Sequence, residues 1–405
     1  MTICGRDLIA KCDSIAKFSE SSSDTTRTFL RPAMHQVHDF LGDWMRSVGM
    51  QVTIDAAGNL RGLHQTAPAS ARRLLIGSHL DTVPAAGAFD GVLGVVLGVA
   101  IVEALKDIHL PLDIEVIGFS EEEGVRFGVP FLGSLALIRK LDQTLLALSD
   151  RQGISVAEAI RQFGLDSNQI NGATVHPPTI GYLEFHIEQG PVLEHLNRPL
   201  GVVEAIAGQS RYRTEFAGAA NHAGTTPMHL RRDALAGAAE WITSVEAQAR
   251  GIGGLVATVS AAHSEPQAGN VIAGVVRTSL DVRHASDEVR RHAVDEMLQQ
   301  ASQIANRRKL SFKADLSLDQ SSVMMDLFLT SLARRACLET GCEAPVMISG
   351  AGHDAMIIAQ EIPSAMIFLR SPGGLSHCPE ESVLPGDVDL ALAAGIHFVR
   401  EFSNH

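Results

Sequence analysis

The alternation of apolar and polar positions along this chain changes character twice. Residues 74–83, "LLIGSHLDTV", read as a buried strand that runs into a loop, because an apolar run ends abruptly in His and Asp. "DGVLGVVLGVAIVEALKD" then reads as a buried helix that tolerates glycine. "LDIEVIGFSEEEG" predicts a second strand, ending in three carboxylates. "TIGYLEFHIEQGPVLE" predicts another with a polar tip, and "RPLGVVEAIAG" one more. Strands alternating with helices predict an α/β sheet. In such sheets ligands gather at the carboxyl ends of strands, and the unusual polar residues fall at those ends. Near the N-terminus, Leu8, Ile9, Ile15 and Phe18 are spaced as an amphipathic first helix.

From about residue 210 the pattern shifts. "SRYRTEFAGA" alternates like a strand, and "RRDALAGAAEWITSVEAQARG" has helical period. "GLVATVSAAHSE" and "AGVVRTSLDVRH" are strands, "DEVRRHAVDEMLQQASQIANRRK" is a helix, and "LSFKADLSLD" is a strand. That order is the split β-α-β unit of a ferredoxin-like domain, placed at 208–323. After it the α/β punctuation resumes, with a helix near 325–340, "PVMISG", a helix after His353, the strand "SAMIFLR", a Gly loop and a last helix. The predicted fold class is therefore α/β. A discontinuous large domain, 1–207 and 324–405, carries the main sheet, and a smaller α+β domain is inserted into it.

Composition narrows the function. A chain of 405 residues that is 45% hydrophobic can bury a large core, and its length favours two domains. The net charge of −13 and pI near 5.7, with no basic block, argue against nucleic acid and anionic membranes as partners. A small anionic substrate stays possible, because local Arg residues can override the global field. No run of about 18 apolar residues predicts a membrane span, and the N-terminus lacks the apolar core of a signal peptide. Five scattered cysteines (Cys4, Cys12, Cys337, Cys342, Cys378) form no disulfide framework or zinc-knuckle spacing. A reduced, cytoplasmic protein is the expectation.

Four pieces of the large domain are candidate metal ligands: His79 with Asp90, the triplet Glu121-Glu122-Glu123, His186 and His377. Imidazoles mixed with carboxylates suit zinc, manganese or cobalt. No thiolate is needed, which argues against a structural zinc cage. Two metals sharing one bridging carboxylate would explain why there are more ligands than one ion needs. Each piece also has an ordinary reading. A His after a strand is commonly a satisfied loop residue, an acidic triplet a solvated face, Asp90 a helix N-cap, and His377 a turn residue.

Six linked motifs settle the choice: "GSHLDTVP…FDGVLGVV", "EEEGVRF…FLGS", "HIEQGPVLE", "NHAGTTPM", "GAGHDAM" and "GGLSHCPEES". In this order, from about Leu74 to Ser382, the chain resembles the amidase, hydantoinase and carbamoylase group. That group belongs to the dinuclear-metal aminoacylase and carboxypeptidase superfamily. The resemblance implies a mixed-sheet, exopeptidase-like catalytic domain and an inserted domain that serves as lid and homodimer interface. It implies two divalent ions per subunit, Zn2+ or Mn2+. His79 and His377 would each bind one metal site, Asp90 would bridge them, Glu123 would be a further ligand, and His186 would complete the second site. Glu122 would be the general base. Asp81 would stand behind His79 and fix its tautomer; the alternative for Asp81 is an Asx turn with Thr82.

The resemblance also assigns substrate contacts. His222 would help hold the oxyanion, across the dimer interface. Asn270 and Arg283 would hold a substrate carboxylate, Arg283 through its bidentate fork. Gln189 would contact a ureido group, and Gly373 and Gly374 would shape the pocket by close backbone approach. His353 and Asp354 would support the site without binding metal. The implied reaction is hydrolysis of a ureido C–N bond in a small carboxylate. Allantoate is the first expected substrate, N-carbamoyl-L-amino acids the second, and peptides or N-acyl amino acids the third. A catalytically silent binding protein on the same fold is the reading from another class.

Overall fold

The computed structural model of the chain describes residues 3–66, 72–176 and 178–405. The chain forms two compact units, Met1–Glu204 with Met325–His405, and Ala205–Met324. The pattern change had suggested 208–323 for the second.

Among the described residues a nine-stranded sheet lies in the large unit except for the strand Val323–Met324 and the last two residues of Leu200–Ile206, which fall within Ala205–Met324. Its order is Gln51–Ile54, Leu60–His64, Leu112–Phe119, Arg72–His79, Thr179–Ile187, Ser364–Leu369 and Leu200–Ile206, with Val323–Met324 and Val346–Ser349 both pairing with Leu200–Ile206. The four middle strands are parallel. Parallel strands are covered on both faces and so read as continuous apolar runs; Leu112–Phe119 and Ser364–Leu369 are buried at every position. The helix Pro32–Ser47 and the hairpin Gln51–Ile54/Leu60–His64 carried no clear pattern and were not expected. The first helix, Gly5–Ala16, buries Leu8 and Ile15, but Phe18 lies beyond its end.

The helix Val92–Leu105 crosses this sheet apolar on all sides. Its residues are buried except Glu103 and Ala104, and Glu103 accepts a hydrogen bond from Trp44 Nε1 at 2.7 Å. Each fully buried Val, Leu or Ile here contributes about 1.5–3 kcal/mol. The helix begins at Gly91, whose φ of +67 favours glycine, and a Cβ there would sit 2.5 Å from the His79 ring. Gly91 is therefore the helix N-cap, and the Asp90 side chain is left for other work.

The register then sets the site. His79 pairs with Phe119 and His186 with Phe368, so the carboxyl ends of Arg72–His79, Leu112–Phe119, Thr179–Ile187 and Ser364–Leu369 finish on one edge. His79, Glu121-Glu122-Glu123, His186 and the loop to His377 follow from those ends.

The smaller unit has four antiparallel strands in the order Ser311–Gln320, Gly208–Ala217, Val275–His284, Val256–Glu265, and two helices, Ala234–Gly251 and Asp287–Arg307. This is the split β-α-β arrangement. Asp233 and Ser286 cap the helices, accepting from Ala236 N and Val289 N. Val276, Leu280 and Val282 point into a core with Phe216, Trp241 and Met297. By alternation Arg277, Ser279, Asp281 and Arg283 lie on the opposite face.

Candidate metal centre

The strand ends bring five of the expected residues together. His79, Asp90 and His186 form one group, and Asp90, Glu123 and His377 another, each with donor atoms within 4.8 Å of one another. Asp90 is common to both. Its Oδ1 lies 3.5 Å from His186 Nε2, and its Oδ2 lies 3.1 Å from His377 Nε2. His377 Nε2 is 3.5 Å from Glu123 Oε1. The geometry thus pairs His186 with His79, and Glu123 with His377. Glu122 stands beside His79 and Glu123. Glu121 and Glu122 are buried, so the acidic triplet is no solvated face.

The imidazoles show what the groups fit. His79 Nδ1 faces the Asp81 carbonyl at 3.0 Å, and His186 Nδ1 faces the Ile187 carbonyl at 2.9 Å. A carbonyl only accepts, so each ring keeps its proton on Nδ1. Both Nε2 lone pairs then point inward, 3.3 Å apart and beside the Asp90 carboxylate. Two lone pairs and a carboxylate repel one another unless a cation lies among them. Glu123 Oε1 is buried without a hydrogen-bond donor. This donor set fits a pair of divalent ions of the zinc or manganese type.

The protonation states tell the same story. Burial pushes the His79 imidazole down to about 4. Burial, and then Asp90, push Glu123 up to about 9. Burial, followed by Glu123, Asp354, Asp81 and Asp90, raises Glu122 well above the usual carboxylate range. Burial would raise Asp90 too, but its bond to His377 and the nearby His186 and His79 hold it below that range. The same bond raises His377 to about 9. Protons are thus crowded into a site whose groups would otherwise repel.

Asp81 acts differently from the expectation. The main-chain carbonyl, not the carboxylate, meets His79 Nδ1; the carboxylate Oδ1 is 3.6 Å away. That carboxylate instead accepts from Glu122 N at 2.9 Å and Glu123 N at 3.0 Å, which aims the acidic loop. Behind it lies Arg27, 1% exposed, which the sequence did not flag. Its Nε donates to the Leu80 carbonyl at 3.1 Å, and its Nη1 donates to the Ile15 and Phe18 carbonyls. Burial lowers this guanidinium to about 10, with the Asp81 charge opposing. Nothing in "DTTRTFL" distinguishes it from a surface arginine.

Gln189 has the left-handed φ of +58, and its Nε2 donates to Asp90 Oδ1 at 3.0 Å. Gly374 makes its close approach to the chain itself: with φ +65, its Cβ position is 3.0 Å from Pro191 N. Gly373 N donates to Glu194 Oε2 at 2.9 Å. His353 packs its ring edge-on to His186, centroids 4.4 Å apart, and its Nε2 is 2.8 Å from Ser349 Oγ. Asp354 is fully buried, and burial raises it well above the usual range.

In the smaller unit, His222 is exposed and its Nδ1 accepts from Gly224 N at 3.0 Å and Thr225 N at 3.2 Å. The ring proton is therefore on Nε2. Asn270 is exposed, and its carbonyl accepts from Ala223 N at 2.9 Å. The Arg283 fork is closed on Asp281, at 2.8 Å through Nε and 3.1 Å through Nη2. The expectation was that this fork would hold a substrate carboxylate. Asp281 is two residues away on the same strand face, which brings the pair together.

A parallel-cored α/β sheet with paired imidazole–carboxylate groups at its carboxyl edge defines a metal-dependent hydrolase. The sequence matches the model for Peptidase family M20/M25/M40 over residues 75–404. The chain belongs to that family of dinuclear-metal hydrolases. It is 36% identical to allantoate deiminase 1 of Glycine max, over 98% of this chain and 89% of the relative. It is 39% identical to the N-carbamoyl-L-amino acid amidohydrolase of Geobacillus stearothermophilus, over 89% of each. Among solved structures, a hydantoinase/carbamoylase-family amidase from Burkholderia multivorans superposes with a TM-score of 0.93 at 28% identity, covering 100% of this chain and 99% of its own. No helix among the described residues is long and apolar enough to cross a membrane.

Proposed function

We propose that this chain hydrolyses a ureido C–N bond of allantoate, releasing ammonia and carbon dioxide and leaving ureidoglycine. One observation carries the reading: two ligand groups share Asp90, with Glu122 beside them, in a chain related to allantoate deiminases over 98% of its length. Zn2+ or Mn2+ would suit the site, with His79, Asp90 and His186 as the residues that would hold one ion and Asp90, Glu123 and His377 those that would hold the other. When bound, such a pair supplies a Lewis acid and a water of lowered pKa. Glu122 takes the proton from the attacking water and later gives it to the leaving nitrogen.

His222 offers an Nε2–H donor to the developing oxyanion. Arg283 and Asn270 hold the distal carboxylate, Arg283 after sharing or releasing Asp281, so that positioning adds to rate. Gln189 meets the ureido group. The protein works in the cytoplasm as a homodimer joined through the inserted unit. The stretches "FSEEEGVRF", "PLGVVEAIAGQSR" and "FLRSPGGLSH" resemble allantoate amidohydrolases more than carbamoylases, which supports allantoate over other ureido acids.

A second reading, N-carbamoyl-L-amino acid hydrolysis, is favoured by the 39% identity to the Geobacillus relative. Ammonia release from allantoate and from a panel of N-carbamoyl-L-amino acids, with Mn2+ and with Zn2+, separates the two. Faster turnover of allantoate is expected. Turnover of the carbamoyl amino acids alone replaces the first reading with the second.

A further inference from the structure

Glu381 lies in "HCPEES", four residues after His377, and has no role in the site as built so far. It is 5% exposed. Its Oε1 accepts from two successive amides, Phe89 N at 2.9 Å and Asp90 N at 3.0 Å. Its Oε2 accepts from the Ser376 hydroxyl at 3.2 Å. One carboxylate thus ties the main chain of Asp90 to the residue before His377, across nearly 300 positions of sequence. Space is reserved for it: a Cβ on Gly87 would lie 2.4 Å from Glu381 Cβ. The loop it stiffens has to hold His377 at a left-handed φ of +58, a conformation with an intrinsic cost.

The first two bonds brace the turn just ahead of the helix that starts at Gly91. The third links the two loops whose side chains, Asp90 and His377, meet at 3.1 Å. We infer that Glu381 is a positioning residue that fixes the separation of Asp90 and His377, and so sets how tightly the Asp90-sharing pair of groups holds divalent ions. This rests on the metal reading above. It acts through hydrogen-bond geometry, without touching ion or substrate. Partners of ligands commonly carry such weight: their loss costs roughly ten- to a hundredfold in metal affinity.

The test is titration of metal-stripped full-length protein with Co2+, whose visible absorption reports ligand geometry, alongside melting of the metal-free forms. Glu381→Ala removes all three bonds. Glu381→Asp keeps the charge but withdraws the oxygens by one methylene. Glu381→Gln keeps an acceptor for both amides and can receive the Ser376 proton's bond in reverse, donating to that hydroxyl. Expected are Co2+ binding weakened roughly ten- to a hundredfold in Glu381→Ala and Glu381→Asp, with altered absorption bands, and near wild-type binding in Glu381→Gln. Should Glu381→Ala not fold, the contrast between Asp and Gln decides.

Wild-type Co2+ affinity and spectrum in both Ala and Asp variants, with only a lower melting temperature, would make Glu381 a plain structural residue and overturn the inference. So would a Gln variant as weak as Ala. A wild-type chain that takes up no Co2+ overturns the metal reading itself, and this inference with it.

Discussion

The two polar sets of this chain solve opposite problems. In the large unit, His79, Asp90, Glu122 and His186 are buried and press like upon like, lone pair against lone pair and acid against acid. In the smaller unit, His222 and Asn270 are exposed, and Arg283 is satisfied by Asp281. Burial makes the first set costly, and a cation among its donors would offset that cost. The second set costs little as it stands, so its energetics name no ligand, and its roles rest on motif resemblance. A buried polar cluster advertises function through its own discomfort; an exposed one does not.

That contrast can be broken most sharply at Glu122. Glu122→Gln should lower turnover roughly 10²- to 10⁴-fold, the usual worth of a general base, while metal content by elemental analysis stays at the wild-type level. Full activity with metal bound would remove Glu122 from its role. Asp90→Ala should abolish the rise in melting temperature that Mn2+ or Zn2+ gives the stripped wild-type protein. That rise corresponds to about 2.7 kcal/mol at a hundred times the dissociation constant. A variant still stabilised by metal as wild type is would mean Asp90 is not shared.

Arg283→Ala probes the other set. It should raise KM for carboxylate substrates roughly ten- to a hundredfold, from about 1.5–3 kcal/mol for hydrogen bonds to a charged group, and leave metal-dependent stabilisation untouched. An equal effect on uncharged ureas would refute the anchor. The smallest effect is on pH dependence. In metal-free protein Glu123 and His377 keep protons to about pH 9, where the unfolded chain has released them near their ordinary values of 4.5 and 6.5. The folded state therefore binds more protons between pH 7 and 9, and its stability falls as pH rises through that window. Metal-loaded protein, its ligands already deprotonated, should lose this slope; matching slopes in the two forms would count against the ligand assignment.

Much of this was legible in the chain. The apolar stretches at 74–77 and 116–119 were readable as parts of buried strands, and the charges that follow them had to be explained. The helix Pro32–Ser47 was harder, because its His and Asp residues blur the apolar stripe; His38 in fact lies buried against Phe163. Asp81 was seen as a partner of His79, but sequence cannot say whether a residue uses its carboxylate or its carbonyl. The closure of Arg283 on Asp281 was within reach, since period-two alternation puts the two on one face. Arg27 and Glu381 were not, because each works on main-chain groups remote in sequence, and main-chain groups leave no letter to read.

One feature of the topology bears on how the protein is made. His79, Asp90, Glu123 and His186 precede the inserted unit, whereas His377 and Glu381 follow it. Synthesis runs from the N-terminus at about 5–20 residues per second. On a ribosome, the acidic and imidazole groups must therefore wait, incomplete, while the whole of Ala205–Met324 is translated. The centre can be finished only late in translation, and a truncated chain would carry the cost of these charges without the residues that complete their shell.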